Sequence, residues 1–99
     1  MQNNKYSLIE LVVKNHPGTM SHITGLFARR AFNLEGILCG RIGDGTKSKI
    51  YLLVKNDDLK EQIVKQLQKL YDVISVSLHD EYNSSVFDNL DMLLNINDN

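Results

Sequence analysis

N-H-P-G-T-M-S-H-I-T-G-L-F-A-R-R-A-F-N-L-E-G-I-L-C, residues 15–39, joins an apolar strand to an amphipathic helix and then to a second apolar run. Pro17 cannot donate to a strand ladder and Gly18 is free to take positive φ, so the chain turns there. Thr19 or Ser21 can cap the helix that follows. Met20, Ile23, Leu26, Phe27 and Ala31 recur at helical spacing and put an apolar stripe on one face. Arg29 and Arg30 fall in the last turn, where cations suit the negative end of the helix dipole. Asn33 is placed to take a left-handed exit conformation. A strand that empties onto a helix start leaves several backbone N–H groups unpaired at one point, a setting that favours a small anion such as a carboxylate.

Outward from this stretch the periodicity changes. Tyr6 to Lys14 alternates, with Ile9, Leu11 and Val13 on one face and Leu8, Glu10 and Val12 on the other, which predicts a strand with one core face and one partly apolar face. Leu34 to Ile42 predicts a second strand, with Gly36 and Gly40 on one face marking a close backbone approach or a bulge. Gly43-Asp44-Gly45-Thr46 reads as a hairpin turn into a third strand, Lys47 to Lys55. Asn56-Asp57-Asp58 starts a second helix whose buried stripe is Leu59, Ile63, Val64, Leu67 and Leu70, with Asp57, Asp58 and Glu61 in its first turn. After a turn at Tyr71-Asp72, a fourth strand runs from Val73 to His79. The order β-α-β-β-α-β predicts an α+β ferredoxin-like sandwich, with two helices on one face of a four-stranded antiparallel sheet. This makes one domain over residues 1–79, followed by an acidic C-terminal tail over residues 80–99. Ser84-Ser85 can cap a short helix there, with Val86, Phe87, Leu90, Leu93 and Leu94 on one side. That helix reads equally as one folded back on its own sheet or as a docking segment for a partner. Fraying is expected over 95–99.

The composition narrows the function. The chain has 99 residues and a net charge of −1. All 11 basic residues precede Asp80 against 7 acids, a balance of +4, while the tail adds five acids and no base. No apolar run approaches the roughly 20 residues needed to span a bilayer, and the start lacks a signal-peptide pattern. One cysteine, Cys39, excludes an internal disulfide and fits a reducing cytoplasm. Its apolar strand predicts a buried, inert thiol. His16 and His22 lie six apart across a turn, which is not a metal-ligand spacing. No nucleophile elbow or phosphate-binding glycine loop occurs, so neither catalytic nor metal-ligating residues are assigned. An RNA-binding sheet would need exposed aromatics on a basic face, and only Tyr6 and Tyr51 are available.

The remaining chemistry lies at the corner. A bound α-amino acid could place its carboxylate on the N–H groups of Gly18, Thr19 and Met20, oriented by the side-chain amides of Asn15 and Asn33. Met20, Leu34 and Ile37 could line a slot for an aliphatic side chain. The plainer reading, in which Pro17-Gly18 only turns and Asn33 only caps, comes first on spacing alone.

The runs N-H-P-G-x-M and G-L-F-A-R-R-A-F-N-L-E-G-I-L-C resemble the small regulatory subunit of acetohydroxyacid synthase (acetolactate synthase), most of all its isozyme I type. The resemblance covers about residues 6–79. It implies an ACT domain without an active site of its own, serving branched-chain amino-acid synthesis. It further implies a homodimer joined through second-strand edges, and a large catalytic subunit as partner, which carries thiamine diphosphate, magnesium and flavin (FAD), none of them on this chain. Valine is the implied effector, bound between the first loop of one protomer (Asn15, His16, Pro17, Gly18, Thr19, Met20) and the second-strand start of the other (Asn33, Leu34, Glu35). The subunit is expected to activate the catalytic partner and confer feedback inhibition, in the cytoplasm and without nucleic acid or membrane. Gly36 and Gly40 then suggest close approach across the paired edges. His16 stands where many relatives carry an acid. The alternative is a stand-alone amino-acid-binding ACT module that regulates another enzyme or a transcription factor.

Overall fold

A computed structural model of the chain describes residues 5–96. The fraying expected for 95–99 lies, from residue 97 on, outside the described residues. Strand β1 (Tyr6–Lys14) is followed by helix α1 (Thr19–Arg29), the hairpin β2 (Gly36–Ile42) and β3 (Lys47–Lys55), helix α2 (Lys60–Gln68), strand β4 (Val73–Tyr82) and two short helical turns, α3 (Ser85–Asp88) and α4 (Leu90–Leu93). The sheet order is β2-β3-β1-β4 and all three pairings are antiparallel. This is the predicted ferredoxin-like βαββαβ order, and it leaves β2 and β4 as the two edges.

The alternation in β1 and β3 sorts their residues onto two faces. Ile9, Leu11 and Val13, with Ile50, Leu52 and Val54, meet Ile23, Leu26 and Phe27 of α1 and Ile63 and Leu67 of α2 in one buried core. Burying each such side chain is worth roughly 1.5–3 kcal/mol. The hairpin turn forms at Gly43–Thr46, where Gly43 and Gly45 have positive φ and the Asp44 carboxylate accepts from the Thr46 N–H and hydroxyl.

Helix α1 departs from expectation at both ends. Its N-cap is Gly18, in the left-handed region, and no side chain caps it. The Thr19 hydroxyl turns back and donates to the Lys14 carbonyl at 3.0 Å. At the other end Ala31, with φ 54°, takes the left-handed position expected of Asn33. The Phe32 N–H donates to the Phe27 carbonyl and the Ala31 N–H to the Ala28 carbonyl. The Phe27 and Phe32 rings pack 5.9 Å apart across this joint, the apolar contact that accompanies a Schellman ending. The apolar pair fixes where the helix stops, so Ala31 lies beyond the stripe and is exposed.

Three further boundaries move. Strand β2 starts at Gly36, because Leu34 packs against the core and the Glu35 N–H donates to the Leu53 carbonyl before the ladder begins. Helix α2 starts at Lys60, with Asp57 accepting from the Leu59 N–H, so only Glu61 of the three acids lies in its first turn. Strand β4 runs past His79 to Tyr82, opposite Tyr6. The tail is two turns broken at Asn89 rather than one helix. It folds back on its own sheet, where the Phe87 ring lies over Gly36.

Candidate functional site

The segment from Asn15 to Gly18 is tied down on both sides. The Asn15 N–H donates to the Thr46 carbonyl, and its side-chain amide donates to the Gly45 carbonyl at 2.7 Å. These bonds fix the loop to the β2–β3 turn. On the other side His16 Nε2 and His22 Nδ1 each donate to one carboxylate oxygen of Asp72, at 2.9 and 2.8 Å. The Asp72 side chain is 3% exposed, and its backbone carbonyl accepts from the Lys14 N–H. A buried carboxylate needs such donors, since an unpaired charge there would be costly. The His22 hydrogen bond, with the His16 imidazole beside it, holds the Asp72 carboxyl below the usual carboxylate range although burial pushes the other way. Asp72 was missed in the sequence because it reads as a turn residue. Only the fold brings it across from just before β4 to two histidines fifty and fifty-six positions earlier.

Between these ties the start of α1 faces outward. Gly18 has φ 91° and a Cβ added there would meet nothing within 4 Å. The glycine is therefore required by its backbone angle and not by crowding. With no side-chain cap and no acid in the first turn, the helix start turns its dipole toward an external anion, while the Thr19 N–H is already held by the His16 carbonyl at 3.3 Å. Beneath it lies a cavity of about 90 Å³, lined by Asn15, His16, Thr19 and Met20 with Val13, Ile50 and Cys39 among the remaining walls. Small-molecule pockets usually measure about 300 Å³ or more, so this cavity is small beside them.

The other candidate residues lie elsewhere. The Asn33 side-chain amide donates to Glu35 Oε2 at 2.6 Å, both exposed, and Leu34 is half-buried against the core. These three residues precede β2, whereas the Asn15 loop is bonded to the turn that follows it. The seven residues of β2, at about 3.3 Å each, put roughly 20 Å between the two groups. Within a protomer they do not meet. Pro17 and Gly18 lie at the exposed rim and do not line the cavity.

Cys39 departs from expectation. It shares the helix-side face with Ile50, its partner in the ladder, yet it is exposed. The core lies over β1 and β3, and the outer edge of the sheet at β2 is left open. Among the described residues no cluster of His, Cys, Asp and Glu suits a metal ion, and no helix is long and apolar enough to cross a membrane.

Residues 9–75 match the family described as AHAS small subunit-like ACT domain. The chain is 55% identical over 78 residues to the acetolactate synthase isozyme 1 small subunit of Escherichia coli K12, covering 77% of this chain and 81% of that one. It is 40% identical over 70 residues to a probable acetolactate synthase small subunit of Archaeoglobus fulgidus, covering 70% of this chain and 44% of the relative. Among solved structures, the acetolactate synthase small subunit of Thermotoga maritima superposes with a TM-score of 0.68 at 39% identity, over 75% of this chain and 47% of that one. The chain thus spans less than half the length of the last two relatives. The regulatory subunit of aspartate kinase from Thermus thermophilus, at a TM-score of 0.66 and 18% identity over 77% of this chain and 51% of that one, shares the fold alone.

The βαββαβ sandwich is that of an ACT domain. Within that class, the chain belongs to the family of acetolactate synthase small subunits.

Proposed function

We propose that the chain is a non-catalytic regulatory subunit of acetolactate synthase. Two copies pair through their β2 edges and bind valine at the two equivalent sites so formed. The observation that carries this reading is the separation of the candidate residues to opposite ends of an unpaired edge strand. An antiparallel β2–β2 pairing about a two-fold axis sets the end of one β2 against the start of the other. The loop Asn15–Met20 of one protomer then faces Asn33–Glu35 of its partner. The effector carboxylate lies at the N–H groups of Gly18 and Met20, where it competes with the His16 carbonyl for the Thr19 N–H, and the small cavity takes its second wall from the other copy.

Binding of valine shifts the dimer toward one arrangement, and the catalytic subunit responds by linkage, being activated by the small subunit and inhibited when valine is bound. Thiamine diphosphate, magnesium and flavin belong to that catalytic partner. The open corner favours this reading over plain turning and capping, because Asn33 does not cap α1 and no side chain caps its start.

Calorimetric titration with valine, using leucine, isoleucine and serine as controls, is run beside sedimentation of the same sample. Saturable heat with valine at one ligand per chain, from a dimer, is the expected result. Binding of full affinity to a monomer overturns the shared site. Capture of a thiamine-dependent synthase separates this role from that of an ACT module serving another enzyme or a transcription factor.

A further inference from the structure

The sheet face away from α1 and α2 should be open, yet two of its residues are not. Gly36, Leu53 and Leu8 form one row across β2, β3 and β1. Leu53 is 3% and Leu8 7% exposed, although their side chains point away from both helices. At Gly36 the tail lies over this row. A Cβ placed on Gly36 would lie 2.5 Å from Cδ1 of Phe87 and 3.1 Å from Cγ and Cε1. No real Cβ tolerates the first distance, so the ring occupies the space that any other residue at 36 would fill. By contrast nothing approaches within 4 Å of a Cβ on Gly40. Of the two glycines sharing this face, one is the seat of an aromatic ring from the chain's own tail.

The seat is placed to matter. Gly36 follows directly on Asn33, Leu34 and Glu35. Glu35 is anchored by its N–H to Leu53, the residue beside Gly36 in the covered row. Beyond Phe87 the tail is less held: Met92 is 79% exposed, and Leu93, Leu94 and Ile96 are each more than half exposed.

We infer that Phe87, seated on Gly36, is a positioning residue that joins the start of β2 to the C-terminal segment, so that a change at Asn33–Glu35 is transmitted to α3 and α4. The contact is close-packed, and such a joint transmits small displacements instead of absorbing them. The inference rests on the proposed effector site in taking Asn33–Glu35 as one wall of it. The joint itself is a property of the single chain.

Amide NMR on the full chain provides the test. In the ligand-free arm, Asn33→Ala shifts the amides of residues 85–93, and the same change on a Phe87→Ala background loses that shift. Phe87→Ala also speeds hydrogen exchange over 85–93 by about tenfold, and Phe87→Leu restores part of both. Gly36→Ala, which evicts the ring, reproduces the Phe87→Ala spectrum in the tail. In the valine arm, wild type shows shifts in loop 15–20 and in the tail, whereas Phe87→Ala keeps the first and loses the second. Tail amides that ignore Asn33→Ala, or respond equally without Phe87, overturn the inference. Absence of valine shifts anywhere would remove the effector reading and leave the ligand-free arm to decide the joint.

Discussion

Gly18, Ala31 and Asp72 show how single residues set the site. Gly18 is left-handed with free space around it, so Gly18→Asp adds a carboxylate at the helix start without a clash. Its backbone cost is about 1 kcal/mol, since aspartate tolerates this region better than most. Calorimetry should show valine binding abolished, while circular dichroism shows the fold kept. Ala31 holds a conformation that costs an L-residue about 1–2 kcal/mol. Ala31→Gly relieves that strain and gives back about 0.5–1 kcal/mol in unfolded-state entropy. Urea unfolding should show a net gain of about 0.5 kcal/mol, or a rise of a few degrees in Tm. For Asp72 the sign follows from its lowered pKa. The folded state binds fewer protons than the unfolded chain near that carboxyl, so its contribution is present above the unfolded value of about 3.9 and is lost as pH falls through the folded value. Asp72→Asn should flatten part of the acid limb in a melting series taken from about pH 5 down to about pH 2. A residual slope should persist from Glu10 and Asp44, whose carboxyls are also held low, Glu10 chiefly by His79 and Asp44 chiefly by the Thr46 N–H.

Strand β2 is the element on which the proposed site turns. It is short, lies at an edge, and carries half-exposed Ile37 and Ile42 with Cys39 at its middle. Unpaired edges invite pairing with another chain. If β2 edges join, Cys39 comes under cover. Its alkylation by iodoacetamide should therefore slow several-fold as protein concentration rises through the monomer–dimer midpoint. An unchanged rate across that range would place the dimer contact elsewhere. Strands β1 and β3 were legible in the sequence because their alternation is regular and one face is fully buried. The start of β2 was not, since Leu34 is apolar in either role and only its packing against the core removes it from the ladder.

At the scale of the whole molecule, the tail is part of the fold. Cutting after Asn83 removes Phe87 from its seat on Gly36, so Tm should fall and binding of a hydrophobic dye should rise. Cutting after His79 should destabilise further, because it also removes the Tyr6–Tyr82 pairing, the Ser7–Asp80 hydrogen bond and the Lys60–Asp80 ion pair. With the catalytic subunit, the shorter cut should weaken activation more than valine binding. Equal losses would assign the tail a structural role only.

Periodicity determined most of the architecture. A two-residue repeat in strands and a helical repeat between them permit few arrangements other than βαββαβ. The same reading located the loop at Asn15–Met20, because Pro17 and Gly18 leave the chain little alternative there. What only the tertiary structure decided are contacts between residues far apart in the chain: Asp72 under His16 and His22, Phe87 on Gly36, and the exposure of Cys39. Local pattern depends on a residue's own dihedrals and neighbours, whereas these depend on which surfaces remain open once the sheet and helices have packed.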